Sequence, residues 1–166
     1  MTGAVVARLE SVAVAVGAAV ARLGIPIVIL SIAFEPLARW TGWGGELPAS
    51  EISTLAFLAA TMTSFGYGYV AGAHVRLDIL SSHFGPRLKA AIELVATLFI
   101  LIPLCLVVVI DGVDSTWRSL VQAERWGDSA WAVQWTVRLW VPVGFALLMA
   151  AALAAALRCA RILFRK

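Results

Sequence analysis

Residues that could perform acid–base or metal chemistry are few in this sequence, and its two histidines lie close together. His74 and His83 are nine positions apart, so they cannot come from two facing helices, as paired axial ligands of a haem would. A serine protease of the membrane would need a histidine or lysine beside its serine. The centres of the apolar segments contain neither residue type, so we expect the chain not to be an enzyme.

The two cysteines offer little more chemistry. Cys105 and Cys159 are 54 positions apart and form no C-x-x-C pair. This spacing indicates no metal site, and a disulfide between them is possible but has no support in the pattern. We expect two small packing residues, and we predict neither a cofactor nor a metal.

The most specific string in the chain is a short polar segment, Gly72-Ala73-His74-Val75-Arg76-Leu77-Asp78. His74 and Asp78 are four positions apart and could pair on a helix, while Arg76 and Asp78 could reach separate partners. A polar helix end followed by a turn would explain the same residues.

Composition determines which elements can position this segment. Hydrophobic residues make up 61% of the 166 residues and charged residues 14%, and the mean hydropathy is +0.92. A soluble domain has about 45–50% apolar and about 25% charged residues. The composition therefore excludes a disordered chain, a secreted disulfide scaffold and almost any soluble enzyme, and it indicates an integral membrane protein.

The net charge of +3 and the pI near 9.3 could suggest a nucleic-acid partner. However, the basic residues cluster directly after the last apolar run, where they face anionic lipid headgroups. These residues are Arg158, Arg161, Arg165 and Lys166. We therefore predict membrane lipids, and no nucleic acid, as partners of this charge.

Four apolar stretches predict an all-α bundle of four transmembrane helices in a single membrane domain, because each stretch approaches the roughly 20 residues needed to cross a bilayer. The predicted spans cover residues 18–40, 52–74, 90–111 and 137–157. Arg22 lies near the middle of the first stretch, so we place that span late and expect the preceding residues to form a short interfacial segment. A signal peptide is the alternative, but the apolar run continues past Arg22, which favours an anchor.

Two local patterns refine the bundle. Pro86-Arg87-Leu88-Lys89 predicts an amphipathic lead-in to the third helix, and Pro103 predicts a kink within that helix. Gly68 and Gly72 have the small-xxx-small spacing that lets another membrane helix approach closely.

Basic residues near the spans predict the orientation. The 40–51 loop carries no lysine or arginine, the 72–89 loop carries three, and the tail carries four. The positive-inside rule therefore places both termini and the 72–89 loop in the cytoplasm. All seven tryptophans then lie on the outer side, as an interfacial belt that could also serve as a docking surface.

A self-sufficient carrier normally shows an ionisable residue near mid-membrane, where a coupling ion or proton binds. The centres of the second, third and fourth spans have none. This absence favours a subunit that packs against a partner over an independent pump.

The segment Gly-x-His-Val-x-Leu-Asp after the second of four spans resembles the small membrane subunit (DctQ-like) of tripartite ATP-independent periplasmic transporters. The resemblance covers about residues 20–160. It also includes Arg39-Trp40, Ser50-Glu51, Pro86-Arg87-Leu88 and the string Trp140-Val141-Pro142-Val143-Gly144-Phe145. The chain departs from the family pattern at Trp43-Gly44-Gly45 and in having one glutamate, not two, at the start of span two.

The resemblance implies a non-catalytic permease subunit in the bacterial inner membrane. It would scaffold a large membrane transport subunit and help to dock a periplasmic solute-binding protein, for ion-gradient-driven and usually sodium-coupled uptake of an organic acid. His74, Arg76 and Asp78 would then serve in orientation or subunit contact on the cytoplasmic side. The outer docking region would comprise Glu46, Glu51, Arg118, Arg125 and Trp126.

Two functions of other classes remain open on the sequence. A membrane anchor of an oxidoreductase predicts a chromophore or quinone and an enzyme partner. An independent small carrier predicts solute flux in liposomes that contain this chain alone.

Overall fold

The computed structural model describes residues 2–41, 49–71, 85–125 and 133–164, and every regular element in these ranges is helical. The helices are α1 (Thr2–Thr41), α2 (Ala49–Val70), α3 (Pro86–Ala96), α4 (Ile102–Val121) and α5 (Gln134–Phe164). A π-helical turn at Thr97–Leu101 joins α3 directly to α4, so these three elements form one continuous rod, the α3–α4 helix.

Three of the helices are long and apolar enough to cross a membrane, with candidate spans at Val14–Phe34, Arg87–Val121 and Gln134–Leu163. The predicted all-α membrane bundle is thereby confirmed. Helix α2 has 22 residues, about 33 Å of helix, which is also long enough. Its second half is rich in Thr, Ser, Gly and Tyr, which lowers its hydropathy, so its crossing of the membrane stays a prediction.

Helix α1 differs from the expected first span. It is one unbroken helix of 40 residues, about 60 Å long, so the predicted boundary near residue 18 is not a helix boundary. Its candidate span starts at Val14 and includes Arg22, whose side chain is exposed. The residues before the span extend α1 and do not form a separate helix.

Helix α5 is the centre of the bundle. Met62 lies against Gly144, and Gly66 against Leu147, so α2 and α5 run parallel. The α3–α4 helix packs on α5 in the opposite direction, because Gly112 lies against Pro142 and Ser115 against Arg138. Helix α1 packs mainly on α2, where Gly24 lies against Ala60.

Small side chains make up most of the core. Helix α5 buries Ala151, Ala152, Ala154, Ala155 and Ala156. Membrane helices associate through close packing, since lipid tails are as apolar as a leucine side chain. Alanine and glycine permit the backbones to come near each other, and the resulting contacts replace a core of large residues.

The α2–α5 contact depends on glycine on both helices. A Cβ atom on Gly66 would lie 3.1 Å from the carbonyl carbon and oxygen of Leu147. A Cβ on Gly144 would lie 2.7 Å from the carbonyl carbon of Met62. Gly66 is two positions from Gly68, one of the two glycines predicted to pack against another helix, and Gly68 is half-buried. Gly72 lies outside the described residues, so the predicted packing role of that pair stays a prediction.

The α3–α4 helix meets α5 along a seam of small residues. The seam residues Ala90, Thr97, Cys105 and Ser119 are buried, and Gly112 contacts Pro142 of α5. The seam repeats every seven positions except between Thr97 and Cys105, where the interval is eight. The π-helical turn lies in that interval and takes up the extra residue, so both halves of the helix face α5.

Candidate docking end of the bundle

Three of the five residues predicted to form an outer docking region lie at one end of the bundle. Because α2 and α5 run parallel and α4 runs against α5, the start of α2, the end of α4 and the start of α5 share this end, here called the docking end. It carries Glu51, Arg118 and Arg125. Glu46 and Trp126 lie outside the described residues, and a role in docking stays a prediction for all five.

The end of α1 also reaches the docking end and brings an aromatic side chain to it. Trp40 of α1 is 86% exposed, and Trp117 of α4 is 63% exposed. Trp135 and Trp140, on the first turns of α5, are only half-buried. The described tryptophans therefore cluster at one end of the bundle, as the sequence predicts.

A tight turn ends α4 and fixes the chain that follows it. The N–H of Ala123 donates to the carbonyl of Leu120, and the N–H of Glu124 donates to the carbonyl of Ser119, at 3.2 Å in both cases. These two bonds form a Schellman motif, whose reversing residue needs a positive φ. Ala123 has a φ of 48°, where glycine is usual because it has no Cβ.

Replacing Ala123 with glycine should therefore stabilise the protein. In the left-handed region, the steric strain of a residue with a Cβ is larger than the entropy that glycine loses on folding. We therefore expect the free energy of unfolding to rise by about 0.5–1 kcal/mol. Thermal unfolding in mild detergent, followed by circular dichroism, would measure it. Ala96→Gly, at an exposed helical position, is the control and should lose about 1 kcal/mol. Destabilisation by both changes would contradict the assignment.

The turn places Glu124 beside the first helical turns of α5. The Arg138 Nη2 atom lies 3.0 Å from Oε2 of Glu124. Its Nη1 donates to the carbonyl of Ser115 at 3.4 Å and contacts the Ser115 hydroxyl at 3.3 Å. Arg138 thus holds the end of α4, the turn and the start of α5 together. The following backbone closes as well, because Gln134 N–H donates to the Glu124 carbonyl.

Sequence reasoning missed the role of Arg138 and Glu124, because it singled out neither residue. The available signal was their opposite charge on either side of the α4–α5 connection. By contrast, it singled out Arg118, whose partner is Asp114 on the same helix at 2.6 Å. Both side chains of that second pair are more than half exposed.

The ion pairs of Arg138 and Arg118 differ in solvent exposure, so we expect their loss to destabilise the protein by different amounts. Arg138→Gln removes a pair whose side chains are only about a third exposed and should cost about 1–2 kcal/mol in the free energy of unfolding. Arg118→Gln removes a solvent-screened pair and should cost less than about 0.5 kcal/mol. Thermal unfolding of both variants measures this difference. Equal losses would show that Arg138 does not hold the end of α4, the turn and the start of α5 together.

Within the described ranges, no group of three or more His, Cys, Asp or Glu residues is arranged to hold a metal ion. Cys105 and Cys159 are both buried, and no disulfide joins them. His74, Arg76 and Asp78, for which the sequence predicts a role on the cytoplasmic side, lie outside the described part of the chain.

The long helices leave most of their apolar surface uncovered. Only 12% of the candidate span in α1 is buried and 11% of that in the α3–α4 helix, compared with 44% of that in α5. Leu23, Leu30 and Phe99, for example, expose more than half of their surface. The faces that point away from α5 are thus free to contact lipid or other membrane helices.

Comparison of the sequence with known protein families identifies the family of this chain. The family model described as "Tripartite ATP-independent periplasmic transporters, DctQ component" matches residues 28–162. No curated protein and no solved structure matches the chain. The family is a transporter component, not an enzyme family, and its tripartite system includes a large membrane subunit and a periplasmic binding protein. Since the match covers more than half of the sequence, the chain belongs to the DctQ family of small membrane subunits of these transporters.

Proposed function

We propose that this protein is the small permease subunit of a tripartite secondary transporter in the bacterial inner membrane. It scaffolds the large transport subunit and helps to dock a periplasmic solute-binding protein. The assembled system takes up an organic acid at the expense of an ion gradient, with sodium as the expected coupling ion. The chain itself binds neither solute nor coupling ion in this proposal.

The observation that carries the scaffold role is the uncovered apolar surface of α1 and of the α3–α4 helix. A protein that performs transport without a partner normally needs an ionisable site within the membrane. The apolar stretches 94–110 and 139–157 contain no Asp, Glu, Lys or Arg. Within the candidate span of α1 the only such residue is Arg22. Broad apolar faces with so few charges suit a rigid support that other membrane helices pack against.

The docking end supports the second part of the proposal. It combines exposed aromatic rings with charges of both signs, and aromatic and arginine side chains are the usual anchors of protein interfaces. With both termini in the cytoplasm, this end faces the periplasm, where a soluble binding protein could reach it. Glu46, Glu51, Arg118, Arg125 and Trp126 are the proposed contact residues.

The polar segment with His74, Arg76 and Asp78 is proposed to orient the chain or contact the large subunit on the cytoplasmic side. Alanine at Arg76 or at Asp78 should lower solute uptake or the yield of the assembled complex by severalfold, because each charge could hold a separate partner. Whole-cell uptake and complex yield would be measured together. Unchanged uptake and yield in both variants would refute this role.

The test of the main proposal is to purify the tagged protein from its native membranes in mild detergent and to identify the co-purifying chains by mass spectrometry. A large polytopic membrane protein as the main partner would support the proposal. Recovery with a redox enzyme would favour the anchor function, and recovery alone would favour an independent carrier. Either of these results would refute the scaffold role.

The energetics need a separate experiment. The two membrane subunits, placed together in liposomes with the loaded binding protein outside, should accumulate solute only when an inward sodium gradient is present. Uptake without any ion gradient would refute secondary transport. Uptake driven by a proton gradient alone would refute the sodium coupling.

A further inference from the structure

The π-helical turn in the α3–α4 helix is an irregularity that packing against α5 does not require. Seam residues lie seven positions apart on both sides of the turn, and only the Thr97–Cys105 interval has eight. Removing one residue from that interval would give a regular helix with the same seam. π-turns of this kind occur frequently at functional sites, which raises the question of what the extra residue provides.

The turn deprives two backbone carbonyls of their regular donors. In an α-helix the Leu98 carbonyl accepts from the N–H of Ile102, and the Phe99 carbonyl accepts from the N–H of residue 103. Here Ile102 donates to the carbonyl of Thr97, five positions back. Residue 103 is proline, which has no N–H to donate. The Leu98 and Phe99 carbonyls thus both lose their usual partner at the same place.

These carbonyls lie on a part of the helix that faces away from the bundle. Phe99 is 71% exposed and Ile100 68% exposed, whereas Thr97 and Cys105 are buried in the seam with α5. The nearby side-chain hydrogen bond, 3.2 Å long, joins the Tyr69 hydroxyl to the Thr97 hydroxyl and involves neither carbonyl.

The same carbonyls also lie deep in the apolar region. The turn at Thr97–Leu101 falls inside the stretch 94–110, which has no Asp, Glu, Lys, Arg or His. The hydrocarbon core contains no water to donate a hydrogen bond, so backbone groups there must be satisfied by protein. Lipid tails have no donors and cannot take that place.

We propose that the exposed face around Leu98, Phe99 and Ile100 is the site where a membrane helix of the large transport subunit packs, with a polar side chain donating a hydrogen bond to the freed carbonyls. Serine, threonine, asparagine, glutamine and tryptophan side chains can supply such a donor. The inference rests on the proposed function, because that function supplies the neighbouring helix. The apolar side chains of Leu98, Phe99 and Ile100 surround this hydrogen bond. The contact is specific because only a helix with a donor at the matching position can reach the freed carbonyls.

The test uses a regularised variant, in which Ile100 is deleted and Pro103→Ala restores a backbone N–H. The eight-residue interval becomes seven, so the seam with α5 is preserved while both carbonyls regain donors. The variant should unfold at a temperature equal to or above that of the unaltered protein. Its apparent dissociation constant for the large subunit should rise about fivefold or more. Pro103→Ala alone should give a smaller rise, and Leu153→Ala, at an exposed position on α5, should give none.

The outcomes separate this inference from the proposed function. If the unaltered protein captures the large subunit and the folded regularised variant binds it equally well, the inference is wrong while the proposed function stands. If the unaltered protein captures no membrane partner, both fail. Should the regularised variant not fold, unchanged affinity in Pro103→Ala alone would overturn the inference.

Photo-crosslinking gives a second measurement that does not depend on stability. A benzophenone amino acid at Phe99 should cross-link to the large subunit in native membranes, since the carbonyl of the same residue is the proposed acceptor. The same group at Leu30, exposed on α1, marks a different face and provides the comparison. Cross-links from Phe99 to lipid only would overturn the inference.

Discussion

Leucine at position 144 should prevent α2 and α5 from packing, and this is the largest effect that we expect from a single substitution. Even a Cβ atom there would overlap the carbonyl oxygen of Met62 and lie 2.7 Å from its Cβ. Overpacking usually costs about 1–3 kcal/mol when neighbours can move. Here the neighbour is the backbone of a second helix, so we expect a loss of about 3 kcal/mol or more from Gly144→Leu.

The measurement is thermal unfolding in mild detergent together with the yield of monodisperse protein. Gly144→Ala should lie between the unaltered protein and the leucine variant. Gly85→Ala is the matched control, because no atom lies within 4 Å of a Cβ there and its backbone angles suit any residue. Its change should not exceed about 1 kcal/mol. A stable Gly144→Leu protein would show that the two helices do not cross at this position.

Deleting Val108 should be almost as damaging, since it breaks the seam between the α3–α4 helix and α5. Each residue of an α-helix turns the chain by about 100°, so the deletion rotates everything beyond residue 108 away from its contacts. Val113 and Leu120 would replace Gly112 and Ser119 against α5, and Arg138 would lose Ser115. We expect a loss of about 3 kcal/mol or more, because bulky residues would enter a seam built for small ones.

The regularised variant is the control for this deletion, since it also lacks one residue of the same helix. Its missing residue comes from the eight-residue interval, so the contacts beyond Cys105 keep their orientation. Circular dichroism melts of the two proteins in the same detergent should differ sharply. Equal instability would contradict the seam, and equal stability would mean that α5 does not set the register of this helix.

Much of the architecture follows from hydropathy alone. Apolar runs without charge must be helices in a bilayer, because only an unbroken helix satisfies its own backbone. This reasoning correctly predicts the helical class and the start of the third helix at Pro86. The kink predicted at Pro103 stays a prediction, and the structure has a π-helical turn at Thr97–Leu101, just before that proline.

The details that failed or stayed hidden depend on long-range packing. Arg22 led us to begin the first span near residue 18, but the helix itself begins at Thr2, because a single arginine does not interrupt a helix that is stabilised by packing on α2. The central place of α5 has no local signal, because its alanines are as apolar on one side as on the other. The Glu124–Arg138 pair depends on a turn that puts alanine where glycine is usual, so the turn chemistry was not visible in the sequence.

The central position of α5 has a consequence for biosynthesis. Of the described helices it is the last to leave the ribosome, yet the α3–α4 helix depends on it for its main contacts and α2 depends on it to cover its glycine face. Until α5 is inserted, the α3–α4 helix lacks its seam partner, and the glycine face of α2 is only half covered. The α1–α2 pair can therefore form early, but the rest of the bundle must wait until α5 is inserted. During that interval the earlier helices are the ones that membrane proteases and insertion chaperones would engage.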